Sequence, residues 1–182
     1  MLELDVRIDD ELFNNDTQKF FYKTERVRLE HSLLTVSRWE AKYKKAFLSD
    51  LPAHAKTEAE TLDYIRMMVL DDITEDLFQS IITNNIAEVN EYISDPQTAT
   101  TIVENKNQSK SSEVITSEVI YYWMFSSQIP KECEQWHLHR LITLIRVFSA
   151  KQAKPEKRSP QEVAARNRAL NAERRAKMNS KG

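Results

Sequence analysis

The chain has 182 residues, of which 41% are hydrophobic and 30% charged, with a formal net charge of −2. Its single glycine is the last residue, Gly182, which excludes a P-loop, a dinucleotide fingerprint and a G-x-S-x-G nucleophile elbow, since each needs glycine at fixed places. Its apolar runs are interrupted well short of the roughly 18 residues of a membrane span, and a lone Cys133 leaves no intramolecular disulfide.

The small net charge hides an asymmetry. Residues 151–182 hold ten Lys and Arg against three Glu, a net +7, whereas the other 150 residues hold sixteen bases against twenty-five acids, a net −9. An acidic body with a basic tail is a layout common among interaction proteins. The opening MLELDVRIDDELF carries acids where a secretory signal would carry bases, so the expected product is cytoplasmic. With no internal glycine, tight turns fall to Asn and Asp, which tolerate left-handed backbone.

In chain order, Leu2, Leu4, Val6 and Ile8 alternate with charged residues, the period of a half-buried strand. A polar turn over residues 14–17 follows, and Phe21, Val27 and Leu29 continue the alternation. The pattern predicts a short antiparallel sheet with one apolar face. From Leu33 the period lengthens. Ser32 or Thr35 can cap a helix carrying Val36, Trp39, Tyr43 and Phe47. Thr57-Glu58-Ala59-Glu60 is a capping box opening a helix with Leu62, Ile65, Met68 and Val69 on its core side. Residues 72–75 start another helix through Leu77, Phe78, Ile81 and Ile82. A further helix over about Asn85–Ile93 stops before Asp95-Pro96. Residues 97–112 are polar with one β-favouring knot at 100–103, read as a loop or an added edge strand.

The stretch Glu113–Ala150 is read as the element that organises the rest. Two apolar helical runs are broken once, at Pro130, which suits the first turn of the second helix. Ile115, Val119, Tyr122 and Trp123 mark the expected core face of the first arm. Leu138, Leu141, Ile142, Ile145 and Phe148, widened by Trp136 and Leu144, mark that of the second, with Trp123, Trp136, Leu141 and Ile145 expected to be buried together. Ser159-Pro160-Gln161-Glu162 then starts a last helix, polar nearly all round, with Val163, Leu170 and Met178 as its large apolar residues.

The expected fold is therefore α+β and mostly α-helical. A small N-terminal antiparallel β-sheet leads into a helical bundle with a central apolar helical hairpin over residues 1–150. A basic linker and C-terminal helix follow over 151–182.

Chemistry is sparse. Cys133 and His137 lie four apart, yet a metal site needs further ligands, and His139, His31 and His54 lie elsewhere in the pattern, so no metal and no cofactor is expected. Asp71, Asp72, Glu75 and Asp76 cluster where acids complement a helix dipole. They have no His or Ser partner, so no catalytic pair is expected. Trp39, Tyr43, Trp123 and Trp136 sit at core spacing and read as packing. The basic tail is the candidate site, with Arg166, Arg168, Leu170, Arg174, Arg175 and Lys177 expected to contact a partner. Nucleic acid is the less favoured partner, because the acidic body would repel it and the tail carries no groove-reading motif.

Five blocks in order resemble a known family. They are SLLTVSRWEAKYKKAFL, ETLDYIRMM, VNEYISDPQTATT, ITSEVIYYWMFSSQIPKECEQWHLHRLITLIRV and ARNRALNAERRAKMNSKG. Together they resemble the tail assembly chaperones of long, non-contractile-tailed bacteriophages. The resemblance implies a non-enzymatic protein that binds the tape measure protein, or the tail tube protein, and assists tube assembly in the host cytoplasm, with self-association also open. Two other readings stay open at this point: a structural component of the virion, at the head–tail joint or in the tail, and a nucleic-acid-associated protein acting through its basic helix.

Overall fold

A computed structural model describes residues 1–16, 18–101, 114–152 and 160–178. The chain divides into two compact units, Met1–Ser149 and Ala150–Gly182. The architecture is α+β and mostly helical, a two-stranded antiparallel sheet followed by helices.

Strands β1 (Leu2–Asn14) and β2 (Lys19–Leu29) form a long hairpin with Leu2 opposite Leu29 and Leu4 opposite Val27. Alternation puts Leu4, Val6, Val27 and Leu29 on the inner face, where they are fully buried. The register slips between Ile8 and Glu11. The other edge of β2 is covered by residues 68–70, since Glu30 N–H donates to Met68 O at 2.9 Å and Leu70 N–H to Arg28 O at 2.9 Å. That short pairing takes up backbone groups that an open edge would leave unpaired.

Helix α1 (Leu33–Tyr43) is capped by Ser32, whose hydroxyl accepts from Thr35 N–H at 3.2 Å. It buries Leu33, Val36 and Trp39 completely. It ends at Lys44, whose left-handed backbone (φ 56°) lets its N–H reach Glu40 O at 2.8 Å. Among the described residues the positive-φ positions are Gln18, Lys44, Gln97 and Gln128, so the expectation that Asn and Asp would fill them is overturned. At Gln97 the reason is visible. Asp95 stays outside the left-handed region and supports the turn with its carboxylate, which accepts from Gln97 N–H at 2.9 Å and from its side-chain amide at 2.7 Å.

Helix α2 (Glu58–Met68) carries both halves of the capping box, Glu60 N–H to Thr57 Oγ1 at 3.2 Å and Thr57 N–H to Glu60 Oε2 at 2.8 Å. Its buried side is Tyr64, Ile65 and Met68, with Leu62 and Val69 half-buried. Thr74 caps α3 (Glu75–Ser80). A π-helical turn over Ile81–Asn85 then joins α3 directly to α4 (Ile86–Ser94), so the two helices read from the sequence run on without a loop. Residues 97–101 form no strand, and 102–113 lie outside the described residues.

Helix α5 (Ser117–Ser126) is followed by a 3-10 turn over Lys131–Gln135 and by α6 (Leu138–Gln152). The second arm is thus broken again at Trp136–His137. Pro130 leads the 3-10 turn and not an α-helix. The cause is tertiary: His137 pairs with Ser32 as an isolated bridge, and Leu138 N–H donates to His31 O at 2.8 Å. The expected face of the first arm is also corrected. Ser117, Ile120 and Met124 are buried, Val119 and Trp123 are half-buried, and Ile115 and Tyr122 are exposed. In the second arm Leu138, Leu141 and Ile145 are buried as expected, while Trp136 and Phe148 are exposed.

The organising element is α1, which packs on α2, on α5 and on the 3-10 turn, while β1 packs on α3 and the π turn. Glu40 ties α1 to α5 directly. Thr116, the residue before α5, supplies no side-chain cap. Glu40 supplies it from across the core, accepting from Ser117 N–H at 2.7 Å through Oε2 and from Phe47 N–H at 2.7 Å through Oε1. In the second unit α7 (Pro160–Met178) begins at the expected proline, and Ser159 lies outside the described residues. No helix among the described residues is long and apolar enough to cross a membrane.

Candidate functional site

The six residues expected to contact a partner, Arg166, Arg168, Leu170, Arg174, Arg175 and Lys177, are all exposed on α7. Helical spacing divides them. Arg166, Leu170, Arg174 and Lys177 recur at steps of four, four and three and share one stripe, while Arg168 and Arg175 are seven apart on another. Lys177 also pairs with Glu173 at 2.7 Å, an exposed pair of small energetic weight. The helix therefore offers two basic stripes, one of them centred on Leu170.

A second surface lies on α5. Its buried side faces α1, and its opposite side carries Tyr122 and Phe125, 68% and 57% exposed. Ile115, also exposed, precedes the helix. The Tyr121 ring stacks on Phe125 with centroids 6.2 Å apart, and Tyr121 Oη donates to Glu134 Oε2 at 2.9 Å. Burial and that carboxylate hold the Tyr121 phenol protonated, well above its usual range. Phe125 thus stands against an anchored ring. A helix that is apolar on both sides while one side meets solvent marks an interaction surface more often than an accident of composition.

The third feature is a polar cluster, buried at His31 and His137 and half-buried at His139, that the sequence pattern did not reveal. The rings of His31, His137 and His139 form a triangle, with centroids 5.1 Å (His31–His137), 5.5 Å (His137–His139) and 5.9 Å (His31–His139) apart. His31 sits at the joint between β2 and α1, and the other two flank the first residue of α6. His31 Nδ1 bonds Tyr64 Oη, His137 Nε2 bonds Tyr92 O at 3.1 Å, and His139 Nδ1 bonds Asp95 O at 3.3 Å. Tyr92 Oη in turn donates to Glu30 Oε1 at 2.6 Å. Burial, reinforced by the two neighbouring imidazoles, pulls the His31 pKa down to about 3. Burial likewise lowers that of His137, against the bond to Tyr92 O. No sequence signal brings residue 31 to residue 137; the backbone bond between His31 O and Leu138 N does so.

Cys133, the other half of the pair considered for a metal, is a buried free thiol whose pKa burial raises. As they stand, no three His, Cys, Asp or Glu side chains among the described residues are arranged to hold a metal ion. The carboxylates of the 71–76 cluster are engaged separately: Asp71 accepts from Arg28 Nε at 3.0 Å, and Glu75 accepts from Arg66 at 2.8 Å.

No protein-family model, curated protein or solved structure matches the chain. The functional reading therefore rests on the surfaces themselves and on the resemblance of the five sequence blocks.

Proposed function

We propose that this chain is a non-enzymatic, protein-binding module that acts as a phage tail assembly chaperone. It holds the long, helical tape measure protein while tail tube subunits assemble around it. The observation that carries the reading is the outward face of α5. Tyr122 and Phe125 are among the most exposed large apolar residues of the chain, and they project from a helix whose other side is fixed on α1. Rigid aromatic side chains on a fixed scaffold suit docking of an amphipathic helix, because little side-chain freedom is lost on binding. The basic stripes of α7 supply a second contact, with Leu170 among the arginines. Protein is favoured over nucleic acid because the 150 residues outside the tail carry a net −9, which opposes approach to a polyanion.

The test is co-expression of the chain with a tape measure protein of a long, non-contractile-tailed phage. Wild-type chain should co-purify. The double variant Tyr122→Ser, Phe125→Ser should lose at least tenfold in affinity with an unchanged circular dichroism spectrum, since truncating two central aromatic anchors costs about 2 kcal/mol or more. A chain ending at Lys157 should bind more weakly. Duplex DNA binding that survives physiological salt and vanishes on that truncation would replace this reading with the nucleic-acid one. Fixed copy number in purified virions would make the protein a structural component.

A further inference from the structure

We propose that the packed rings of His31, His137 and His139 form an acid-sensitive latch: while neutral they hold the start of α6 on the β2–α1 joint, and protonation releases that helix. The geometry carries the argument. His31 lies at the joint, His137 and His139 flank Leu138, and the three ring centroids are 5.1, 5.5 and 5.9 Å apart. Two backbone links close the same seam, the bridge between Ser32 and His137 and the bond from Leu138 N–H to His31 O at 2.8 Å. Among the described residues, no element packs along α6 as closely as α2 and α5 pack on α1. The seam is therefore where a local opening of α6 begins.

Hydrogen bonding fixes what the rings can accept. A carbonyl oxygen only accepts, so His137 Nε2, which bonds Tyr92 O at 3.1 Å, carries that ring's proton and leaves Nδ1 as a lone pair. Nδ1 is buried without a hydrogen-bond partner, and His137 is 4% exposed. A second proton would make a buried N–H with no acceptor, on a ring that has become a cation. His31 is 1% exposed, with its Nδ1 engaged by Tyr64 Oη and its ring against Phe47 and the other two imidazoles. No carboxylate is bonded to it. The groups around the seam do not compensate. Tyr64 on α2 and Tyr92 on α4 are phenols that burial keeps protonated. Glu30 draws a proton toward His137, but its Oε1 accepts from Tyr92 Oη at 2.6 Å and its Oε2 pairs with the Met1 amine at 2.7 Å, whose charge opposes the proton. Asp95 meets His139 through its backbone oxygen, and its carboxylate is taken up by Gln97.

Burial and the neighbouring rings accordingly pull His31 down to about 3, and burial lowers His137. Both fall below the roughly 6.5 of an unfolded imidazole. Above that pH the latch is indifferent to acid. Below it, each ring that stays neutral in the closed state makes opening about tenfold easier per pH unit. The latch is independent of partner binding, so its failure leaves the α5 proposal untouched. The test is hydrogen exchange of the full-length chain at about pH 7 and about pH 5, above the ordinary range of carboxylates, with labelling times scaled for the intrinsic pH dependence of amide exchange. Protection of α6 should fall about twentyfold or more, and α6 should exchange ahead of α1 and α2 at both pH values. The double variant His31→Asn, His137→Gln keeps side-chain nitrogens at the bonded positions and cannot titrate, so its fall should be about threefold or less. His54→Gln should keep the full fall. Equal α6 protection at both pH values would overturn the latch, as would the full fall in the folded double variant. Exchange of α6 only together with α1 and α2 would also overturn it, since the rings would then stabilise the whole fold and release nothing. The wild-type comparison decides the matter even if the double variant does not fold.

Discussion

Glu40→Ala should destabilise the protein by about 3–5 kcal/mol, since two amide donors each lose a hydrogen bond to a charged group, worth about 1.5–3 kcal/mol apiece. Glu40 is buried on α1, and its two oxygens accept from Ser117 N–H and Phe47 N–H, each at 2.7 Å. Alanine leaves both amides without an acceptor, and one of them is the first amide of α5, where no side chain of the helix's own substitutes. It also removes a negative group from the positive end of the α5 dipole. Glu40→Gln separates these effects. It keeps the shape and one oxygen but turns an amide NH2 toward a donor, so a smaller loss of about 1.5–3 kcal/mol is expected. Urea unfolding checks both, with a lowered midpoint at unchanged slope. A loss under about 0.5 kcal/mol for Glu40→Ala, the range of surface changes, would mean that α1 and α5 are held together some other way.

The second large effect belongs to Trp39. Its ring is fully buried, packs against Tyr43 and Phe47 with centroids 5.0 and 5.2 Å away, and its Nε1–H donates to Glu60 O at 2.9 Å. Glu60 is already engaged, closing the α2 capping box and accepting from Lys45 at 2.7 Å. Trp39 thus locks α1 onto the first turn of α2. Trp39→Ala should cost about 3–5 kcal/mol through lost burial and the cavity left behind. Trp39→Phe keeps an aromatic ring and loses the hydrogen bond, so its cost should be nearer 1 kcal/mol plus a small cavity term. Equal losses for the two variants would mean that the hydrogen bond, and not packing, dominates at this position.

What the sequence revealed and what it hid follow from the range of the interactions involved. The hairpin was legible because alternation at Leu4, Val6, Val27 and Leu29 is a local signal with one wet face. The Thr57–Glu60 box was legible because its partners are three residues apart. The face of α5 was not. Val119, Ile120, Tyr121, Tyr122, Trp123, Met124 and Phe125 are consecutive, so periodicity could not choose the side that Ile120 and Met124 share. The second break, at Trp136–His137, carries no proline or glycine, because its cause is a backbone bond to residue 31. The π turn at Ile81–Asn85 likewise leaves no mark in composition. For the candidate site, the positions on α7 were readable from charge. The histidine triangle depended on α6 meeting the β2–α1 joint, and the outward aromatics of α5 on that helix packing against α1.

The claim that α5 presents the binding face is tested most directly by site-specific photo-crosslinking in cells that make the tape measure protein. A photo-reactive phenylalanine is placed in turn at Tyr122, Phe125 and Leu170, and at Asn84, exposed on the π turn, as the control. The account predicts covalent adducts with the tape measure protein from positions 122 and 125, weaker ones from 170, and none from 84. Adducts from 84 with none from 122 or 125 would contradict it.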